Sequence, residues 1–128
     1  MAMPPIKDKL LGTIQAIAKY REGWDGKDAK PATAKAIEEA NNFVLWLSDT
    51  GNLWNIRRVP HISLKNDGEL NFWWKSDTGL VDIGFYGTGE YSYYAYDYGI
   101  EYRADANLCK NISEDDNLFL VISQIVNG

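Results

Sequence analysis

The chain is poor in the groups that most often carry enzymatic or metal chemistry. It has one cysteine, Cys109, and one histidine, His61. A single cysteine excludes an internal disulfide and fits a reducing compartment, and these two residues cannot build a zinc-finger set or a multi-histidine zinc site. Bases are scarce toward the C-terminal end. From Asp77 onward nine acids (Asp77, Asp82, Glu90, Asp97, Glu101, Asp105, Glu114, Asp115, Asp116) face two bases, Arg103 and Lys110. Nucleic-acid binding depends on Lys and Arg neutralising phosphates, so direct contact with nucleic acid is disfavoured. No apolar run approaches the roughly 20 residues that span a bilayer. Met1-Ala2-Met3-Pro4-Pro5 lacks the basic start and apolar core of a signal peptide. A cytoplasmic protein without membrane contact, metal or cofactor is expected.

What the chain has in excess is aromatic surface. Five Trp, eight Tyr and four Phe occur in 128 residues, more rings than a small core readily encloses. Some should lie outside, where Tyr and Trp favour interfaces. Hydrophobic residues at 45% and charged ones at 24% describe a globular chain able to bury its own core in one domain, residues 1–128. The net charge of −5 favours a partner of opposite sign.

Periodicity divides the chain into helical and extended parts. Ile6, Leu10, Ile14 and Ile17 recur on one helical face after Pro4-Pro5, whose fixed φ suits a first turn. Gly12 interrupts that helix at a position where another element could approach closely. The helix should stop near Arg21, ahead of Gly23 and Gly26. A second helix is expected from about Pro31 to Thr33 through Ser48, with Ala36, Ile37, Ala40, Phe43, Val44 and Leu47 as its apolar stripe. Beyond Pro60 the period becomes two. Ile62 and Leu64; Leu70, Phe72 and Trp74; Val81, Ile83 and Phe85; and the Glu90–Tyr98 run alternate between turns at Asn66-Asp67-Gly68, Ser76-Asp77-Thr78-Gly79 and Gly87-Thr88-Gly89. Ile100 to Ala104 extends this as a fifth strand. Ser113, followed by Glu114, Asp115 and Asp116, suits a helix start, and Leu118, Val121, Ile122 and Ile125 follow at helical spacing. A strand from Phe119 to Ile122 is the alternative. The fold class is therefore α+β: an N-terminal helical hairpin, a four- to five-stranded antiparallel meander and a C-terminal helix.

No constellation in the sequence points to catalysis. His61 sits at the mouth of the first strand, where a strand-end residue is the simpler reading. Gly84, Gly87 and Gly89 resemble a phosphate-binding run but have no helix behind them. Asp25 and Asp28 lack the spacing of a calcium loop. Binding is better supported. Tyr94, Tyr96 and Tyr98 share one strand face, and Tyr91, Tyr93 and Ala95 share the other. Trp73 and Trp74 also point oppositely. An outward patch of Trp73, Tyr94, Tyr96 and Tyr98, rimmed by Asp82, Glu90, Asp97 and Glu101, is what a partner-binding face would look like. The competing reading is that tyrosine recurs because it suits strands and cross-strand pairs.

Gly23-Trp24-Asp25-Gly26 followed by Ala29-Lys30-Pro31-Ala32-Thr33, with the later Asn66-Asp67-Gly68-Glu69-Leu70-Asn71-Phe72-Trp73-Trp74 hairpin, resembles a loosely defined family of small bacterial and phage proteins. The resemblance spans Leu10 to Phe85, although Lys27-Asp28 stands where a Tyr-Gly pair is common. It implies a helix–corner–helix and an antiparallel sheet, and an association with mobile elements and toxin–antitoxin neighbourhoods. It transfers no catalytic residue. On physical grounds the structural motif Trp24, Asp25, Gly26 and Pro31 should be a joint. Trp24 would cover the end of the hairpin, Asp25 would accept turn N–H groups, and the glycines would take positive-φ positions.

Two functions remain in view. The first is a small acidic interaction module of a phage or mobile element that binds and inhibits a host or toxin protein; a basic nucleic-acid-binding protein is the partner class that suits its charge, and a homo-oligomer is compatible with the sequence. The second is a small-ligand or enzymatic domain with an aromatic pocket between sheet and helices, lined by Trp54, Tyr96 and His61.

Overall fold

The computed structural model describes residues 6–49, 59–104, 120 and 122–123. Two helices, α1 (Ile6–Ala18) and α2 (Ala34–Asp49), precede five strands: β1 (His61–Leu64), β2 (Leu70–Lys75), β3 (Gly79–Phe85), β4 (Tyr91–Asp97) and β5 (Ile100–Ala104). The strands form one antiparallel sheet in the order β1-β2-β3-β4-β5, each paired with its sequence neighbours. Short turns allow no other connection between adjacent strands. Both helices lie on one face, α1 against β1 and α2 against β2 and β3. The expected C-terminal helix falls outside the described residues, apart from Leu120, Ile122 and Ser123; Ile122 is fully buried in the core.

The two periodicities meet in one core. Leu10, Ile14 and Ile17 of α1, and Ala36, Ala40, Phe43, Val44 and Leu47 of α2, pack on the alternate residues of the sheet that point toward them. Phe43 is the central ring, 4.9 Å from Phe72 and 5.2 Å from Phe85, with Trp74 edge-on at 6.1 Å. Such tilted and edge-on pairs add to the burial of the rings. Trp74 is buried while its neighbour Trp73 is 37% exposed, so the pleat separates the adjacent indoles as expected.

The corner between the helices is held by its own polar atoms. α1 ends at Ala18, a few residues earlier than the glycines alone suggest, and Thr33 caps α2 by accepting the Ala36 N–H at 3.1 Å. Between them, the Trp24 indole N–H donates to the Lys30 carbonyl at 2.8 Å, and its ring lies 5.4 Å from Tyr20. Asp25 Oδ1 accepts the N–H groups of Lys27 and Ala29, and Gly23 and Gly26 have φ of 76° and 82°. L side chains resist those angles, which gives the glycines their role. The Lys30 N–H then reaches the Asn66 carbonyl at 2.9 Å, tying the corner to the β1–β2 turn. Gly12, by contrast, faces open space, since a Cβ there would meet nothing within 4 Å. It marks no close approach.

Candidate functional site

Because both helices cover the same side of the sheet, the other side carries no helix among the described residues. Strand alternation and register decide what stands there. One row across the sheet reads His61, Trp73, Asp82, Tyr94, Arg103, from β1 to β5. The next row reads Lys75, Leu80, Tyr96, Glu101, from β2 to β5. A third, on the other side of the first, reads Ser63, Asn71, Gly84, Ser92. Trp73, Tyr94, Tyr96, Asp82 and Glu101 therefore do share one face.

The flat groups on this face are stacked. His61 lies parallel to Trp73, with centroids 4.5 Å apart, and the Arg103 guanidinium sits 5.1 Å above the Tyr94 ring. A cation over an aromatic face is attracted by the ring's quadrupole. Tyr94 Oη donates to Glu101 Oε1 at 3.0 Å; that bond to a carboxylate raises the phenol's pKa, since ionising it would set two negative charges together.

Next to these rows the face dips. Gly84 carries no side chain, and a Cβ there would stand 2.8 Å from the Glu69 carboxyl carbon, so only glycine lets that carboxylate lie across the strand. The result is a depression of about 320 Å³ lined by Lys65, Glu69, Asn71, Asp82, Tyr86, Ser92, Tyr94 and Arg103. Its groups hold one another. Lys65 Nζ pairs with Glu69 Oε2 at 3.1 Å, which is the main reason the lysine pKa is raised. Asn71 Nδ2 donates to Asp82 Oδ1 and to the Ile83 carbonyl, and Tyr86 Oη shares a hydrogen bond with Ser92 Oγ. Burial is the first cause of the raised Tyr86 pKa.

Three of the eight residues expected in the interface stand elsewhere. Asp97 alternates with Tyr91, Tyr93 and Ala95, so it lies on the helix side and is 8% exposed. Its Oδ1 accepts the Thr78 hydroxyl at 2.8 Å, while the Tyr98 N–H donates to the Thr78 carbonyl, so Asp97 joins two turns instead of rimming a patch. Tyr98 has left the strand. It occupies the β4–β5 turn at φ 51° and is 79% exposed. Glu90 precedes β4 in the turn after β3, outside the paired register. His61 and Tyr96 are on the open face and so do not line a pocket between sheet and helices, and Trp54 is outside the described residues; the pocket between α1 and β1 is lined instead by Ile17, Tyr20, Trp24, Ile62 and Leu64.

Charge on the open face is balanced, not acidic. Lys65, Lys75 and Arg103 stand against Glu69, Asp82 and Glu101, and the first two bases reach it through the β1–β2 hairpin and the end of β2. No count of acids from Asp77 onward could show this, since Lys65 and Lys75 come from the β1–β2 hairpin and the end of β2, earlier in the chain.

The glycine run at Gly87-Thr88-Gly89 has a resident anion of its own. The Gly87 and Gly89 N–H groups donate to Glu39 Oε1 and Oε2 at 2.8 and 2.6 Å. The α2 carboxylate thereby pins the β3–β4 turn, and those donors are engaged within the fold. Among the described residues no group of three or more His, Cys, Asp or Glu converges as metal ligands would, and no helix is long and apolar enough to cross a membrane. No family model, curated protein or solved structure matches the chain.

Proposed function

We propose that this domain is a protein-interaction module whose contact surface is the open face of the sheet. The supporting observation is the row His61, Trp73, Asp82, Tyr94, Arg103: aromatic and guanidinium groups, stacked in pairs, on a side that neither helix covers. Trp, Tyr and Arg are the residues that dominate binding energy at protein interfaces. Trp73 and Tyr96 are the anchors in this reading, and Asp82, Glu101 and Arg103 set orientation. The resemblance at the Trp24 corner and the net charge of −5 extend it to an inhibitor- or antitoxin-like protein of a phage or other mobile element. Its target would then be a host or toxin protein with a basic surface.

Immobilised full-length protein should retain a partner from host lysate at low salt and release it at high salt. Trp73→Ala/Tyr96→Ala should retain none of it while still melting cooperatively, at a lower temperature. Equal retention by the double variant would remove the open face from the function. The depression over Gly84 favours a second reading, a small polar ligand held by Asn71, Asp82 and Arg103. Stabilisation by a metabolite in a thermal-shift screen, lost in Asn71→Ala, would support it.

A further inference from the structure

The register of the open face makes it self-complementary, and we infer that a second copy of this chain packs on it face to face about a two-fold axis running between β3 and β4, parallel to the strands. This rests on the reading that the open face is a contact surface, and goes beyond it by naming an occupant.

An isologous interface must place every residue opposite one it can tolerate, because each contact occurs twice. Neighbouring strands are about 4.8 Å apart, so the open face is a grid whose columns are the strands. An axis between β3 and β4 exchanges β3 with β4 and β2 with β5. In the row Lys75, Leu80, Tyr96, Glu101 it brings Lys75 opposite Glu101 of the second copy and Leu80 opposite its Tyr96. In the row Trp73, Asp82, Tyr94, Arg103 it brings Trp73 opposite the second Arg103 and Asp82 opposite the second Tyr94, whose hydroxyl proton is already given to Glu101. Three of these pairings are favourable (ion pair, apolar contact, cation over indole), and the fourth sets no like charges together.

The axis between β3 and β4 leaves only the β1 column unmatched, and other positions do worse. An axis on β3 stacks Asp82 on its own copy, and one between β2 and β3 sets Lys75 on Leu80. One on β4 leaves the β1 and β2 columns, Trp73 and Lys75 included, with nothing opposite. One running across the strands presses the Asp82 carboxylate onto Leu80. The balance of three bases and three acids on the face also matters, because a surface of one sign repels itself. Among the described residues neither Lys75 nor Arg103 has a carboxylate within ion-pair distance, and the dimer would give Lys75 one.

A face this size buries on the order of 1,200 Å² in total, at the small end of specific interfaces, so the dimer is sought at micromolar and higher concentrations. Sedimentation equilibrium of the full chain across that range should show a monomer–dimer equilibrium. Lys75→Glu and Glu101→Lys should each weaken it at least about 10-fold, because each sets like charges together at two places. Both residues are exposed, so Lys75→Glu should keep the wild-type melting temperature, and Glu101→Lys, which gives up the Tyr94 hydrogen bond, should still melt cooperatively. An equimolar mixture of the two variants should restore a heterodimer, since every reversed charge then meets its opposite. A chain that stays monomeric at all concentrations overturns the inference, as does a dimer indifferent to both substitutions or a mixture that fails to associate. If the chain is monomeric yet Trp73 and Tyr96 are needed to retain a partner, the interaction reading stands and the dimer alone falls.

Discussion

Trp24→Ala tests whether the Trp-Asp-Gly corner is a joint of the fold. Trp24 packs against the core with most of its surface covered, so it hides about two thirds of the 150–250 Å² an aromatic side chain offers. At about 25 cal/mol per Å² that burial contributes about 2.5–4 kcal/mol, and the lost indole bond to the Lys30 carbonyl adds about 1 kcal/mol. A loss of about 4 kcal/mol is a large share of the stability of a small domain, and should lower Tm by roughly 15 °C. Trp24→Phe keeps most of the ring area and removes the donor, so it should cost only about 1 kcal/mol. Urea titrations followed by far-UV circular dichroism give both values. Amide exchange adds a local readout: the Lys30 N–H, bonded to the Asn66 carbonyl, should exchange faster in the Ala variant than in the Phe variant. Wild-type melting of Trp24→Ala would refute the structural role, and equal losses for Ala and Phe would refute the division between burial and hydrogen bond.

Gly12→Ala should stabilise the chain by about 1 kcal/mol, because the position is helical and open, and urea denaturation reads this directly. Tyr98→Asn should also stabilise, by about 0.5–1 kcal/mol, since asparagine tolerates the left-handed turn and the exposed ring gives up little contact; a lower Tm would show that the ring is packed. Alkaline pH should lower the stability of the protein. Lys65 has a raised pKa through its bond to Glu69, Tyr86 through burial and Tyr94 through its bond to Glu101. All three folded-state values lie above the unfolded ones, so their stabilisation is complete below about pH 10 and is lost as pH rises through the folded values. Urea midpoints should therefore hold level to about pH 9.5 and then fall, more shallowly in Tyr86→Phe; an unchanged slope in that variant would count against the Tyr86 contribution.

The parts of this protein legible in sequence are those governed by local rules. The change of period beyond Pro60 predicts the meander, and the structure pairs its strands in that order. Trp73 and Trp74 part to opposite faces because adjacent residues on a strand must. Gly23 and Gly26 take positive φ, and Asp25 accepts turn amides, as the corner's composition implies. Parity also held the correction to Asp97, which shares its side with Tyr91 and Tyr93; counting acids near the tyrosines obscured it. Tyr98 could not be placed so simply, because a strand's alternation ends where the turn begins, and the turn here starts one residue sooner than the run of tyrosines suggests.

Sequence alone determined the two helices, the order of the strands and which residues of each strand share a side, since these follow from periods of 3.6 and two along the chain. Tertiary structure alone decided which side of the sheet the helices cover, and so which aromatics stay outside. It also brought Lys65, Lys75 and Arg103 among acids from other strands, turning an acidic stretch of sequence into a charge-balanced face. The reason is that register and layer order are relations between segments far apart in the chain, set by joint packing around Phe43 and by bonds such as Glu39 to the Gly87 and Gly89 amides. No single stretch of residues contains them.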